Sequence, residues 1–518
     1  MIARVSRHAA ADVAAWLAAL AAYALLAWPD LFHVSGDALI HFVYAVQAAA
    51  GRWFQFNPGE PSAGSTSVLY TTAMALLVRA LGLPVALYVA CAACLVAVAA
   101  LLWIVCREVR RATGSAAWAA VACLAVALNP GFAYNSPQGI EAPFFALAVA
   151  ALLFRDPAWA TARPGARTSL AAAMLAALVV ALRPEGAVVL AVLLMMLASA
   201  RRPDGRRVGV TGPLALAAAA GGAAILLTAL WQWRWTGVFL PASAYSRLML
   251  ARRQGLHLGP LWIYPGFVTR LAAYAPLTAG TIAAPWLLRE DRDGPGRVWL
   301  VRIAAVVLAA IVLLYTFVTG AAHVARYMMF LLAPMAVVAT LAARTLWAST
   351  RGRLIVALAA AALLAAYGAD AGLRARVRRH SGSDTIAKVV SAYWTRVAST
   401  DRWIAQTGYD LERCGPMRLS YQEVQIALEL DDRTRIVSTD GRVWPIGLSG
   451  LYRSDGTVDG ARWIEALKPN VLVELPDDPA LDEHLSACRS READACPYAG
   501  VSWVWRPPGV WVDAACVR

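Results

Sequence analysis

The stretch 35-SGDALIHFVYAVQAAAGRWFQFNPGEPSAGSTSVLY-70 decides how the rest of the chain is placed. It follows one apolar segment, 12–28, long enough to span a bilayer, and runs into a second, 66–82. If 66–82 crosses the membrane, every later loop changes side. Within the stretch, Asp37, His41 and Tyr44 stand at i, i+4 and i+7, on one face of a short helix. Gly51 offers that helix a stop, and Asn57-Pro58-Gly59-Glu60 makes a turn. Ser65 or Thr66 offers a cap to the helix that follows. Two short interfacial helices joined by a turn are expected, with 66–82 on the membrane surface.

The arginines choose between the alternatives. Spans are expected near 12–28, 84–105, 115–130, 140–154, 168–182, 184–200, 213–233, 268–288, 299–318, 326–345 and 353–369. With the N-terminus in the cytoplasm and 66–82 left out, the cytoplasmic loops carry Arg107/Arg110/Arg111, Arg155/Arg163/Arg167, Arg201/Arg202/Arg206/Arg207 and Arg289/Arg292/Arg297/Arg302. That is the positive-inside arrangement; counting 66–82 as a span reverses it. Arg247, Arg252 and Arg253 on the long outer loop 234–267 run against the rule. At the last span, Arg374, Arg376, Arg378 and Arg379 oppose Arg344, Arg351 and Arg353, and charge alone leaves that end undecided.

Composition agrees with a membrane protein. Of 518 residues, 60% are hydrophobic and 15% charged, and the mean hydropathy is +0.55. Repeated apolar runs of about 15–22 residues exclude an ordinary soluble enzyme. Arg4 and Arg7 precede the first run like the head of a signal peptide. No small-residue cleavage site leads into a soluble domain, so a retained anchor is expected. The net charge of +14 reflects arginines between spans; with no stacking or groove-reading motif, nucleic acid is not an expected partner. No internal repeat is visible.

The tail, 370–518, changes character. A helical stretch at 383–407 precedes the β-like runs "RIVST", "VLVEL", "VSWVWR" and "VWVDAACV". A mixed α/β extracytoplasmic domain is expected there, with 1–369 as the membrane domain. Cys414, Cys488, Cys496 and Cys516 suit an oxidising compartment, with three pairings open, while buried thiols are the alternative. Cys91, Cys94, Cys106 and Cys123 lie in or beside spans, and Cys91-Ala-Ala-Cys94 reads as helix packing rather than redox chemistry. The tail's tryptophans, Trp394, Trp403, Trp444, Trp463, Trp503, Trp505 and Trp511, suit either sugar stacking or, more commonly, a core.

Polar residues collect on one membrane face. Asp37, His41 and Tyr44 come first, then Glu141 in "NSPQGIEAPFF". Arg183-Pro184-Glu185-Gly186 splits an apolar run of about thirty residues into a hairpin. Tyr245 and Arg247 follow in "FLPASAYSR", and His323, Arg326 and Tyr327 in "HVARYMMF". Each has a bland account. Arg183 and Glu185 pair with each other, Arg326 snorkels, Glu141 complements a helix dipole, and Asp37 is a first-turn acid. The bland accounts explain the set less well, because charges near hydrocarbon are costly and mark sites.

These motifs resemble those of bacterial GT-C glycosyltransferases, and the mycobacterial terminal arabinofuranosyltransferase group in particular. The first loop is similar to the pattern acid-acid-A-[FY]-I-x-F-R-Y-A, then F-N-P-G-E and G-Y-T-[NS]-P-L-W. "QGIEAPFFAL" resembles S-G-[LM]-E-T-P-L, "LRPEG" resembles T-R-P-[ED]-G, "FLPASAYSR" resembles L-P-N-[TS]-x-Y-x-K, and "ARYMMFLLAP" resembles R-Y-[LF]-x-P-L-L-P. All five occur in order across 35–335; the tail is covered less well. The resemblance implies a polytopic α-helical membrane protein, GT-C-like, of about eleven spans with interfacial helices in the first outer loop. It implies transfer of a sugar, with inversion, from a polyprenyl-phosphate donor to an envelope glycan, lipid or protein acceptor on the outer face of the cytoplasmic membrane.

In that chemistry an acceptor hydroxyl needs a carboxylate base, and Asp37 matches the family's loop acid. The departing phosphate needs a cation, Arg326 first and Arg183 second. His41 and Tyr44 are placed to tune Asp37 or touch the sugar, and Glu141, Glu185, Tyr245 and His323 complete the candidate substrate-binding set. Relatives carry two adjacent acids where this chain has Gly36-Asp37, which weakens the case for a divalent metal, and no cofactor is implied. The familiar F-R-Y is Phe42-Val43-Tyr44, and the helix start is Gly64-Ser65-Thr66-Ser67-Val68-Leu69-Tyr70. A transporter or flippase of a lipid-linked glycan would instead show paired repeats and helices broken at the midplane. An inactive envelope scaffold with a glycan-binding tail is the third reading.

Overall fold

The structure is a computed structural model that describes residues 2–155, 165–199, 210–239, 272–288, 328–380, 385–421, 427–428, 430–438, 451, 458–476, 478–490, 495–506 and 509–517. Contacts divide the chain into two compact units. One comprises Met1–His33, Tyr88–Thr228 and Leu258–Ser383; the other comprises Val34–Leu87, Ala229–His257 and Asp384–Arg518. Residues 34–87 thus cluster with the tail rather than with the helices that flank them in sequence.

The first unit is helical. Among the described residues, Ala10–Asp30, Val68–Thr113, Gly212–Thr236, Met329–Trp347 and Thr350–Arg376 are long and apolar enough to cross a membrane. Ala116–Ala127, Ala142–Leu153, Ala166–Leu182, Glu185–Ala198 and Ala275–Ala284 are shorter apolar helices. These helices match all but one of the expected spans; the one near 299–318 lies outside the described residues. We number the helices α1 (Ile2–Ala27), α2 (Gly36–Ala49), α3 (Val68–Thr113), α4 (Ala116–Ala127), α5 (Pro130–Asn135), α6 (Ala142–Leu153), α7 (Ala166–Leu182), α8 (Glu185–Ser199), α9 (Gly212–Thr236), α10 (Ala275–Leu287), α11 (Met329–Trp347) and α12 (Thr350–His380). Small residues let them approach closely: a Cβ added at Gly280 of α10 would fall 2.8 Å from Cβ of Ala339 on α11.

α3 is two helices in one run. Gly82 breaks it with φ 78° and ψ 159°, two residues ahead of Pro84. Only glycine adopts that backbone freely, and a proline inside the next turn removes an amide donor that would have bridged the break. The helix expected over 66–82 and the span expected over 84–105 are therefore separate segments. Its cap is Ser67, whose Oγ accepts from the Tyr70 amide at 3.4 Å; neither Ser65 nor Thr66 takes that role.

The second unit adds α13 (Ile386–Thr407), α14 (Leu411–Cys414), α15 (Gly460–Leu467) and α16 (Pro479–Ser490) to a mixed sheet. Its strands are β1 (Met417–Tyr421), β2 (Thr434–Ser438), β3 (Val471–Leu472), β4 (Cys496–Tyr498), β5 (Val501–Arg506) and β6 (Val510–Asp513). The order is β2-β1-β3-β6-β5-β4, so β2 is an edge. β1 runs parallel to β2 and β3, and the remaining pairs are antiparallel. All four β-like runs read from sequence contain strands, and the helix expected at 383–407 is α13. Trp463, Trp503 and Trp511 pack with Ile464, Leu481 and Leu485 in a core between sheet and helices. Those three tryptophans therefore have the core role, Trp394 is exposed, and Trp444 lies outside the described residues. Disulfides join Cys414 to Cys516 and Cys488 to Cys496, selecting one of the three pairings, while Cys91, Cys94, Cys106 and Cys123 are free and buried.

Candidate functional site: an acid on a braced loop

Ser35 caps α2 by accepting from the Ala38 amide at 3.1 Å, and Asp37 lies in the first turn. There the helix dipole favours the ionised carboxylate. Asp37 is half-buried, whereas every side chain from Ala38 to Ala45 is buried. His41 and Tyr44 share its face of the helix, as the spacing predicts, and both are built into the loop. His41 Nδ1 lies 2.9 Å from Thr71 Oγ1 and 3.1 Å from Ser65 Oγ, and Ser65 and Thr71 are themselves 2.7 Å apart. Tyr70 meets the imidazole edge-on. The Tyr44 hydroxyl accepts the Gly64 amide at 2.8 Å and shares a hydrogen bond of 2.7 Å with the Ser62 hydroxyl. Burial pushes this phenol far above its ordinary 10.0, against the bonds to Ser62 and Gly64, so it stays protonated.

The same loop reaches the tail. The Asn57 side chain donates to the carbonyl of Ile436 on β2 and accepts from its amide, both at 2.9 Å. Its Nδ2 also donates to Glu60 Oε2 at 2.9 Å. Glu60 Oε1 accepts from both Arg418 on β1 and Arg435 on β2. Sequence reasoning found a turn at Asn57–Glu60 but not these contacts. The amide's partner lies 379 positions away, and no local periodicity reports a bond of that range.

In the first unit, Glu141 precedes α6, Arg183 ends α7 and Glu185 opens α8. Extended backbone at Arg183 (φ −154°, ψ 143°) is what a following proline favours, and it turns the chain between α7 and α8. Arg183 pairs with Glu141 at 3.4 Å and with Glu185 at 3.2 Å. Its guanidinium lies 5.8 Å from the centre of the Phe145 ring. The pairing of Arg183 with Glu185 read from sequence is present, and Glu141 joins it.

A further buried pair escaped the sequence reading. Arg374, counted there among basic residues past the last span, donates to Asp370 at 3.0 Å and lies 5.2 Å above the Tyr134 ring. A buried, paired arginine carries little weight in a count of headgroup-facing charge. Tyr245, His323 and Arg326 lie outside the described residues. Among those described, His484, Cys488 and Cys496 alone have metal-ligand spacing, and both sulfurs are tied up in their disulfide.

No family model and no curated protein matches the chain. Its fold is shared with solved structures. The apo oligosaccharyltransferase of Archaeoglobus fulgidus aligns at 13% identity and a TM-score of 0.57, over 90% of this chain and 69% of its own. The same archaeon's AglB, in complex with an inhibitory peptide and a dolichol-phosphate, aligns at 14% identity and TM-score 0.52, over 90% of this chain and 69% of its own. ArnT from Cupriavidus metallidurans, bound to undecaprenyl phosphate, aligns at 13% identity and TM-score 0.52, over 99% of this chain and 98% of its own. The fold shared with these structures is a set of apolar helices, five of them among the described residues long enough to cross a membrane, with a C-terminal mixed α/β domain.

Proposed function

We propose that this protein transfers a sugar, with inversion, from a polyprenyl-phosphate donor to an envelope glycan, lipid or protein acceptor at the outer face of the cytoplasmic membrane. The observation that carries the reading is Asp37: a half-buried carboxylate at the head of a buried, braced helix, in a fold shared with a protein bound to undecaprenyl phosphate. Asp37 takes the proton of the acceptor hydroxyl as its oxygen bonds to the anomeric carbon. The bond from that carbon to the donor phosphate oxygen breaks, and the polyprenyl phosphate leaves with the electron pair. Arg326 is the proposed phosphate ligand. Arg183 stands second, because two carboxylates already hold it. The motif resemblance favours a pentose of arabinofuranose type, with a hexose as the alternative donor sugar.

The two tail disulfides support an oxidising, extracytoplasmic location for 370–518, with 1–369 in the membrane and the N-terminus in the cytoplasm. Asp37→Asn, expressed in membranes supplied with radiolabelled decaprenyl- and undecaprenyl-phosphate pentoses and hexoses, is expected to accumulate normally and to transfer no label. Wild-type transfer in that variant overturns the assignment of the base.

A further inference from the structure

We propose that the Asn57–Glu60 turn is a clamp through which the C-terminal sheet positions the Asp37 loop, making the tail a working part of the transfer site. The inference rests on the transferase reading above. It begins at β2. An edge strand presents unpaired amides and carbonyls that another strand would ordinarily satisfy. Here a side chain takes the place of the strand: Asn57 offers Ile436 one donor and one acceptor, which a carboxamide supplies together and a carboxylate or alkyl group does not. The second N–H of that carboxamide is used on Glu60.

Glu60 answers a second requirement of the sheet. Arg418 and Arg435 are direct partners in the β1–β2 register, and like charges set opposite one another destabilise a sheet. Glu60 accepts from both, and Arg418 is further fixed by the Leu467 carbonyl at 2.9 Å. Burial alone would raise this carboxyl, but Arg418, Asn57 and Arg435 outweigh it and hold it below its ordinary 4.5.

From the clamp, bonded contacts lead back to the acid. The Ser62 amide donates to the Phe54 carbonyl at 2.7 Å, and the Phe56 ring packs edge-on against Tyr44. Ser62 and Gly64 hold Tyr44, and Ser65 and Thr71 hold His41. His41 and Tyr44 stand about one and two turns along α2 from Asp37. A base must keep its place to a fraction of an ångström, and misplacement by about 1 Å costs on the order of 100-fold in rate. Asn57, Glu60, Arg418 and Arg435 are therefore positioning residues acting through α2.

The test uses the full chain in membranes and the donor panel named above, reading kcat and donor KM separately. Asn57→Ala and Glu60→Gln are expected to lower kcat about tenfold or more, with donor KM within about twofold of the wild type. Glu60→Lys is expected to do the same, and adding Arg418→Glu is expected to recover at least a third of the loss on a logarithmic scale. Should Glu60→Gln fail to accumulate, Arg435→Gln replaces it, leaving the Arg418 contact in place. An active wild type whose clamp variants accumulate with unchanged kcat overturns this inference alone; so does a fall confined to KM. A wild type silent with every donor overturns the transferase reading and this inference with it.

Discussion

Arg374 and Asp370 lie one turn apart on α12. Among the described residues, Asp370 Oδ1 and Arg374 Nη2 are buried without a hydrogen-bond partner. Arg374→Ala strands a carboxylate in a low-dielectric site, and the expected loss is about 3–5 kcal/mol, read as a lower thermal midpoint of the detergent-purified protein. Asp370→Asn/Arg374→Gln, which removes both charges, is expected to lose less. Glu60 shows the opposite dependence on its surroundings. Its carboxyl is held below 4.5 by Arg418, Asn57 and Arg435. The stability this adds is full above that value and drains away as pH falls through the folded-state pKa. Protease cleavage within 50–66 is therefore expected to be insensitive to pH between 7 and 5 and to rise below 4.5. At this scale the sequence was readable where neighbours along one helix decide, as for Asp37, His41 and Tyr44. It was silent for Asn57 and Glu60, whose partners lie hundreds of positions away and beyond any local periodicity.

Among the elements, the turn from α7 to α8 is a tight join. A Cβ at Gly186 would overlap the carbonyl oxygen of Val179 on the preceding helix. Gly186→Val forces the two helices apart at an expected cost of about 1–3 kcal/mol, along with the alignment of Arg183 with Glu141 and Glu185. Lower yield and a lower thermal midpoint would register it, with Gly212→Val, where an added Cβ meets nothing within 4 Å, as the tolerant control. Most helices were legible because long apolar runs have few other uses. The interruptions were legible because Gly82–Pro84 and Arg183–Pro184 cannot continue a regular helix. β1, β4, α15 and α16 were not. They are short, with too few residues to show a period, and α15, α16 and β4 take their burial from the assembled core around Trp463, Trp503 and Leu481.

For the molecule as a whole, the disulfides fix how far the tail can open. Cys414–Cys516 closes 102 residues and Cys488–Cys496 closes 8. Chain entropy assigns about 4.7 kcal/mol to a loop near the first size and about 2.5 kcal/mol to the second. Cys414→Ser/Cys516→Ser is accordingly expected to lower the urea midpoint of the tail, followed through tryptophan emission, more than Cys488→Ser/Cys496→Ser. An even number of tail cysteines was visible in the sequence, but their pairing belongs to the fold. So does the interleaving of the units, in which Val34–Leu87 joins Asp384–Arg518 across the intervening helices.

That interleaving sets an order of events at the ribosome. The acid-bearing loop is synthesised well before the strand that receives Asn57, 379 positions further on. Until β1 and β2 have been made, Glu60 has neither Arg418 nor Arg435. A nascent chain would carry Asp37 in an unfinished setting. The loop therefore gains its proposed competence only after the tail's sheet has been made.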